Sequence, residues 1–359
     1  MQYTKRVRIN TGLRCNVKCR FCYYWDKLDL DNPSIGHIKY LLKIAKSSGI
    51  EHIDFSGGES SIRPDFKEIL GYAKKIGFKT RCTLTNGQLF VNKDFLKRLA
   101  DSGLNEVLFS VHGCNPEEHD WLTQVPGSFN RMMKAIDNLK ELGIQYRFNV
   151  TVTKKNFKSL KKHAKLFVNK KPLQVNFILF NYWGSADKTA KDMSLRYSEA
   201  SPFLKEAIDI MKKDIKYINV RYIPMCFMKD YENHVTNHGQ KIFDPFEWNP
   251  IAMSRTQGGI KRHYARLIYF FFRCFPLNST FGLKLSIGQR ILLAADKVRG
   301  YTHPKICKKC KNYLICDGPE RQYVESFGFN DLKPYSGKRI KDPLYYRKDF
   351  YKGLDKRFL

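Results

Sequence analysis

Val7-Arg-Ile-Asn-Thr-Gly-Leu-Arg-Cys15-Asn-Val-Lys-Cys19-Arg-Phe-Cys22 runs from a short alternating stretch straight into three closely spaced cysteines. Alternation of Val7 and Ile9 with polar residues has the period of a strand, which is expected over Val7–Thr11. Outward from it, similar β-branched runs recur: His52–Phe55, Lys79–Leu84, Glu106–Val111, Tyr146–Val152 and Gln174–Phe180. Between them lie stretches with helical period: Ile35–Ser48, Asp65–Ile76, Lys93–Ser102, Ser128–Leu142 and Phe157–Val168. Gly49, Gly77, Gly103 and Gly143 each stand just past one of these, where a helix end calls for a left-handed residue. Strand–helix units of about 30 residues build parallel sheet through right-handed crossovers. The fold class is therefore α/β, expected as an open, partial (β/α)6 TIM-like barrel; six doubly wound strands would produce a similar pattern. A helix over Ser198–Lys213 and a last strand over Tyr217–Ile223 follow, and then irregular sequence rich in Pro, Gly, His and aromatics. A boundary near residue 215 divides a core barrel (1–215) from a smaller carboxyl-terminal domain with a basic tail (216–359).

Ten cysteines in 359 residues mean disulfides in a secreted chain and metal or catalysis in a reducing compartment. The amino terminus has no apolar signal segment, and Leu267–Phe272, the longest conspicuous apolar run, is far short of a membrane span. A cytoplasmic location is expected. Cys15, Cys19 and Cys22 can ligate three irons of a cubane cluster and leave the fourth open. A closed structural zinc wants four ligands, and zinc or unrelated buried thiols are the competing readings. Four other motifs stand at carboxyl ends of the expected strands: Ser56-Gly57-Gly58-Glu59, Thr85-Asn86-Gly87, Ser110-Val111-His112-Gly113, and the pair Asn149 and Thr151. That end is where parallel α/β barrels build their active sites.

Together these residues resemble the radical S-adenosylmethionine (SAM) superfamily, Phe21 before the last cysteine included, over roughly residues 5 to 185. Glu118 through Ile136, with His119-Asp120 and Gly127-Ser128-Phe129, is similar to members of the family as well. The resemblance implies a [4Fe–4S] cluster on Cys15, Cys19 and Cys22, with its open iron chelated by the amino and carboxylate groups of SAM. One electron then cleaves the sulfonium, and the 5′-deoxyadenosyl radical abstracts hydrogen from a substrate. It further implies cofactor contacts from Phe21, Gly57, Gly58, Glu59, Asn86, Ser110 and Asn149. The glycines would let the backbone approach the methionine amino group, and Glu59 would accept its hydrogen bond.

Cys307-Lys-Lys-Cys310-Asn-Tyr-Leu-Ile-Cys316 forms a second group, and Cys226 lies 81 residues upstream of it. This part resembles the SPASM and twitch auxiliary domains of that superfamily. Glu320 stands where a further SPASM cysteine would fall, so one auxiliary [4Fe–4S] cluster on Cys226, Cys307, Cys310 and Cys316 is expected. Zinc is the rival occupant, and with Cys226 as a bystander the cluster would have an open iron. Four ligands favour a role in electron transfer. His234 and His238, at i and i+4, would share a helix face and form a metal pair or meet substrate. Cys82 reads as core, and Cys114 could face the active site; Cys274 has no reading of its own.

Sixty-four Lys+Arg against 34 Asp+Glu give a formal charge of +30, concentrated in Lys154–Lys171, Lys261–Arg299 and the tail from Lys333. Such a field attracts polyanions and acidic proteins. The expected partners are a small-molecule, sugar or peptide substrate and an acidic electron donor such as a flavodoxin or ferredoxin. Two alternatives stay open: an RNA-modifying enzyme of the same superfamily, although no nucleic-acid-binding motif is recognisable, and a zinc-stabilised, polyanion-binding non-enzyme. The basic, aromatic segment Arg262–Phe275 is read as a core-packing helix with snorkelling arginines, a peripheral membrane contact being the alternative.

Overall fold

A computed structural model describes residues 3–182, 184–256 and 300–354. Its centre is an all-parallel sheet of eight strands in the order of the sequence: β1 (Arg6–Asn10), β2 (His52–Ser56), β3 (Thr80–Thr85), β4 (Glu106–Ser110), β5 (Gln145–Val152), β6 (Gln174–Leu179), β7 (Tyr217–Arg221) and β8 (Val235–Thr236). Each strand pairs only with its sequence neighbours, so β1 and β8 are open edges among the described residues. A doubly wound sheet would reverse its order at a switch point, and this one does not. The architecture is the partial α/β barrel expected, with eight strands in its sheet where six were expected in the barrel and a seventh beyond it. The expected boundary near residue 215 falls inside the sheet, because β6 still offers an edge and β7 pairs along it from Gln174↔Tyr217 to Ile178↔Arg221.

Crossovers are made by α1 (Ile35–Ser47), α2 (Phe66–Lys75), α3 (Lys93–Asp101), α4 (Pro116–Thr123), α5 (Ser128–Glu141), α6 (Leu160–Lys170), α7 (Ala190–Met193) and α8 (Tyr197–Met211). The caps are local chemistry. Ser34 accepts from the His37 N–H, Asn92 from Phe95 and Asn115 from Glu118, with Pro116 in the first turn of α4. The glycines after α1, α2, α3 and α5 all have positive φ. Each helix turns an apolar stripe onto the sheet: Ile38, Leu41, Leu42 and Ala45 from α1, and Leu160, Ala164 and Phe167 from α6. Full burial of each large apolar side chain contributes roughly 1.5–3 kcal/mol.

The interior at the amino ends of the strands is ionic. Arg6 Nη1 lies 2.6 Å from Asp54 and 3.0 Å from Glu106, and Arg147 Nη2 lies 2.6 Å from Glu106, all four side chains being buried. Residues after β8 cross this end: Trp248 Nε1 donates to Asp54 at 2.8 Å, and Arg6 Nε donates to the Pro245 carbonyl at 3.1 Å. One end of the barrel is thus closed by charge pairs and a strap of chain. Side chains with access to solvent gather towards the opposite, carboxyl-terminal end: Asn10, Leu84, Ser110, Asn149, Thr151 and Ile178.

No described helix is long and apolar enough to cross a membrane. Arg262–Phe275 and Cys274 lie outside the described residues. His234 and His238 do not share a helix, since β8 separates the short 3-10 turn ending at His234 from the helix His238–Lys241. His234 Nδ1 donates to the Ile218 carbonyl at 2.8 Å, and His238 Nδ1 faces Asp317 at 2.7 Å. Cys82 is buried at the ionic end, 3.7 Å from Arg147 Nη2.

Candidate active site and auxiliary cysteine centre

The loop bearing Cys15, Cys19 and Cys22 leaves the carboxyl end of β1, and all three thiols are half-buried. Its stem is clamped by the glycine loop after β2. Gly58 N–H donates to the Gly12 carbonyl and Glu59 N–H to the Arg14 carbonyl, each at 2.9 Å. A Cβ on Gly57 would sit 2.0 Å from the Gly12 oxygen, and one on Gly58 would sit 2.1 Å from the Arg14 oxygen and 2.4 Å from the Leu13 oxygen. Both glycines are therefore demanded by the chain's own cysteine loop, a neighbour the sequence did not suggest.

Glu59 is held by donors of the chain itself. Its carboxylate accepts from Ser61 N at 3.2 Å, Ser61 Oγ at 2.6 Å, Thr85 Oγ1 at 3.0 Å and Asn86 N at 2.9 Å. A carboxylate has about four acceptor positions, and this chain's donors take them up. Burial nevertheless raises the Glu59 pKa, against the lowering effect of those bonds. The acid ties the glycine loop to the end of β3. Asn86, on that end, donates to Asn16 Oδ1 at 2.7 Å and lies 3.8 Å from Cys15 Sγ. Strands β1, β2 and β3 thus fix the first cysteine as one hydrogen-bonded unit.

Phe21 packs edge-on against His112, ring centres 4.4 Å apart, and His112 Nδ1 accepts from Thr151 N at 3.1 Å. Burial holds His112 well below the ordinary imidazole range. Ser110 is in register with Asn149 across β4 and β5, and Asn149 Oδ1 accepts from Asn176 Nδ2 at 2.8 Å. The structure therefore brings Phe21, Gly57, Gly58, Glu59, Asn86, Ser110 and Asn149 to the same end of the barrel as the three cysteines. Sequence reading missed Asn10, which donates to Tyr24 OH at 3.3 Å, and Asn176. Period-two alternation, which puts Asn10 on the face of Arg6 and Arg8, was the available signal.

The second cysteine group assembles from three separate segments. Cys226 sits in a 3-10 turn after β7, Cys307 in the 3-10 turn Lys305–Lys309, Cys310 just past it, and Cys316 six residues on. All four line one cavity, together with Pro224, His303, Tyr313 and Leu332. Met225 N–H and Gly318 N–H point at Cys316 Sγ, 3.5 and 3.4 Å away. Burial pushes the Cys226 thiol up strongly, and the nearby Cys316, Cys307 and Cys310 push the same way. In the first group Cys15 is pushed up to about 12, by burial and then by Glu59. Thiolates in either place call for a bound cation.

Among the described residues, the trios of ligand atoms lying mutually within 4.8 Å are Cys114–Glu118–His163 and Asp54–Cys82–Glu106, and neither of the two larger cysteine groups is among them.

Comparison with known proteins agrees with this geometry. The family described as the radical SAM superfamily matches residues 9–167. The chain is 28% identical over 218 residues to the Fe-coproporphyrin III synthase of Methanosarcina barkeri, covering 60% of this chain and 52% of that protein. It is 32% identical over 158 residues to the GTP 3′,8-cyclase of Aquifex aeolicus, covering 42% and 48%. The chain thus spans about half the length of the curated relatives it matches. Among solved structures, anSMEcpe with bound AdoMet superposes over 98% of both chains with TM-score 0.57 at 17% identity. Streptococcus suis SuiB bound to the precursor peptide SuiA superposes over 95% of this chain and 76% of that one, TM-score 0.60, at 16% identity. At such identities the likeness is one of fold. The family uses a [4Fe–4S] cluster and SAM. With a cysteine loop, strand-end motifs and sequence all in agreement, residues 9–167 are a radical SAM domain.

Proposed function

We propose that this chain is a radical SAM enzyme that oxidises its substrate by two electrons, with the second cysteine group serving as an electron relay. The observation that carries the reading is the convergence of Cys226, Cys307, Cys310 and Cys316 on one cavity. Four thiolates would ligate every iron of a second [4Fe–4S] cluster, which suits electron transfer; three would leave an iron open for substrate. When bound, the first cluster supplies the electron that converts SAM into a hydrogen-abstracting 5′-deoxyadenosyl radical.

The chain's own residues have distinct parts in this proposal. Cys15, Cys19 and Cys22 would hold the first cluster. Gly57, Gly58 and Glu59 keep the cysteine loop against the barrel, and Asn86 joins it to β3. Phe21 and His112 wall one side of the mouth, with Ser110 and Asn149 offering polar contacts to the cofactor. Peptides are the first substrates to test, because structures that match nearly the whole chain include SuiB with a precursor peptide and anSMEcpe with the Cp18Cys peptide. The exposed lysines of Lys154–Lys171 would receive an acidic electron donor.

Anaerobic reconstitution of the full chain should yield about eight irons. Dithionite plus SAM should then release 5′-deoxyadenosine, and a deuterated peptide substrate should transfer deuterium to it. A fully iron-loaded sample that leaves SAM intact overturns the proposal. Loss of no electron-transfer competence on removing Cys226 would overturn the relay alone.

A further inference from the structure

Cys114 follows the end of β4, half-buried, and the proposed radical chemistry gives it no part. Asn115 caps α4 by accepting from Glu118 N at 2.9 Å, which fixes the buried Glu118 one turn into the helix. Glu118 Oε2 accepts from the Cys114 N–H at 2.9 Å, and Oε1 accepts from Ser159 Oγ at 2.6 Å. His163, on α6, turns a fully buried ring towards the same carboxylate, with Nε2 3.6 Å from Glu118 Oε2.

The tautomer of His163 follows from its other nitrogen. Nδ1 lies 3.1 Å from the Ser159 carbonyl, which can only accept, and 3.3 Å from Ser159 Oγ, whose one proton goes to Glu118 Oε1 at 2.6 Å, so Nδ1 carries the proton. Nε2 is then a lone pair. It is buried and has no hydrogen-bond partner. The His112 carbonyl also faces this ring and accepts from Asn156 Nδ2 at 2.7 Å; with the proton on Nδ1, Nε2 has none to give it. A lone pair thus confronts a carboxylate, with a thiol alongside, and the ligand atoms of Cys114, Glu118 and His163 all lie within 4.8 Å of one another. The other such trio, Asp54–Cys82–Glu106, already has Arg6 and Arg147 as its cations. This one has no guanidinium or ammonium bonded into it among the described residues, Lys162 being only a neighbour of Cys114.

We propose that Cys114, Glu118 and His163 form a binding site for a divalent transition-metal ion, with zinc its occupant. A thiolate and a carboxylate balance the charge of a dication, and the neutral imidazole completes three ligands. Thiolate and imidazole together select against magnesium and calcium, which prefer oxygen. Three protein ligands leave a fourth tetrahedral position for water, reached from the exposed side of Cys114. The Ser159 carbonyl on Nδ1 and the Ser159 hydroxyl on Glu118 are the outer bonds that orient metal-ligating imidazole and carboxylate groups. A metal here would pin α4 and α6 to the end of β4, the strand that carries Ser110 and leads into His112.

The test uses the full chain with its iron–sulfur clusters reconstituted, incubated with zinc chloride and passed over a chelating resin. Iron and zinc are then counted, and the zinc shell is read by X-ray absorption. The expected result is about one zinc per chain, with one sulfur and about three nitrogen or oxygen neighbours. Cys114→Ala, at a half-exposed position that tolerates truncation, should lower zinc affinity by at least about tenfold with iron content and melting temperature of the metal-free chain unchanged. Glu118→Gln should lower it similarly. Zinc below about a tenth per chain, a shell of four sulfurs, or retention unaffected by Cys114→Ala would each overturn the assignment.

Discussion

Replacing Gly58 by alanine isolates the clamp between the glycine loop and the cysteine loop. The added Cβ would lie 2.1 Å from the Arg14 oxygen, 2.4 Å from the Leu13 oxygen and 2.6 Å from the Arg14 carbonyl carbon. All three are backbone atoms, so no side chain can rotate away. Restoring ordinary contact at 3.4 Å moves the cysteine loop by about 1.3 Å. That shift breaks the two 2.9 Å bonds from Gly58 N–H and Glu59 N–H, worth about 1 kcal/mol each, and overpacking adds about 1–3 kcal/mol. The local cost, roughly 3–5 kcal/mol, falls on a short loop and not on the sheet, so the barrel should stay folded while the first cluster site is lost. After anaerobic reconstitution, G58A should carry about four irons in place of about eight and release no 5′-deoxyadenosine. Gly36→Ala is the control: its Cβ meets nothing closer than Ser34 Oγ at 3.9 Å, and alanine is the better helix former. The reasoning is refuted if G58A keeps the full iron content and cleaves SAM at the rate of G36A.

Three further outcomes are expected. Arg147→Met leaves Glu106 and Asp54 to share Arg6 in a buried site, where burial pushes the Glu106 pKa up but Arg147 and Arg6 hold it down at about 2. The loss should be about 3–5 kcal/mol in urea unfolding, and a change under about 1 kcal/mol would contradict the ionic account of the closed end. Burial lowers His52 and His234 to about 4, so the unfolded chain takes up these protons first as the pH falls below about 6.5. Their contribution is therefore complete above pH 6.5 and declines towards pH 4, by up to about 1.4 kcal/mol per pH unit for each histidine, and His52→Gln should flatten that slope. Cys226→Ala should abolish substrate oxidation yet leave dithionite-driven 5′-deoxyadenosine formation within about threefold; equal loss of both would merge the two centres into one function.

Much of the barrel was legible because its signals are local. The seven longer strands fall within a residue or two of the stretches read from alternation, from Arg6–Asn10 to Tyr217–Arg221. Helix ends follow the glycines. Two of the missed elements, α4 and β8, escaped for opposite reasons. Helix α4 has its signals in Asn115 and Pro116 but no clean apolar stripe, burying Glu118, His119, Leu122 and Thr123. Strand β8 is two residues long, too short for any period, and exists because β7 had an edge left to pair.

The three cysteines after β1 were readable as a metal motif from spacing, and as an iron–sulfur one through the family resemblance, since ligands within eight residues on one loop need no distant partner. The sequence determined that much by itself, together with the strand–helix rhythm, because both rest on neighbours along the chain. Only the tertiary structure decided that Gly57 and Gly58 serve the cysteine loop, since their close contacts are to carbonyls some 45 residues away. It likewise brought Cys226 to Cys307, Cys310 and Cys316, and turned the lone pair of His163 towards Glu118 and Cys114. Those pairings depend on the register of the sheet and the packing of helices across it, which spacing along the chain does not encode.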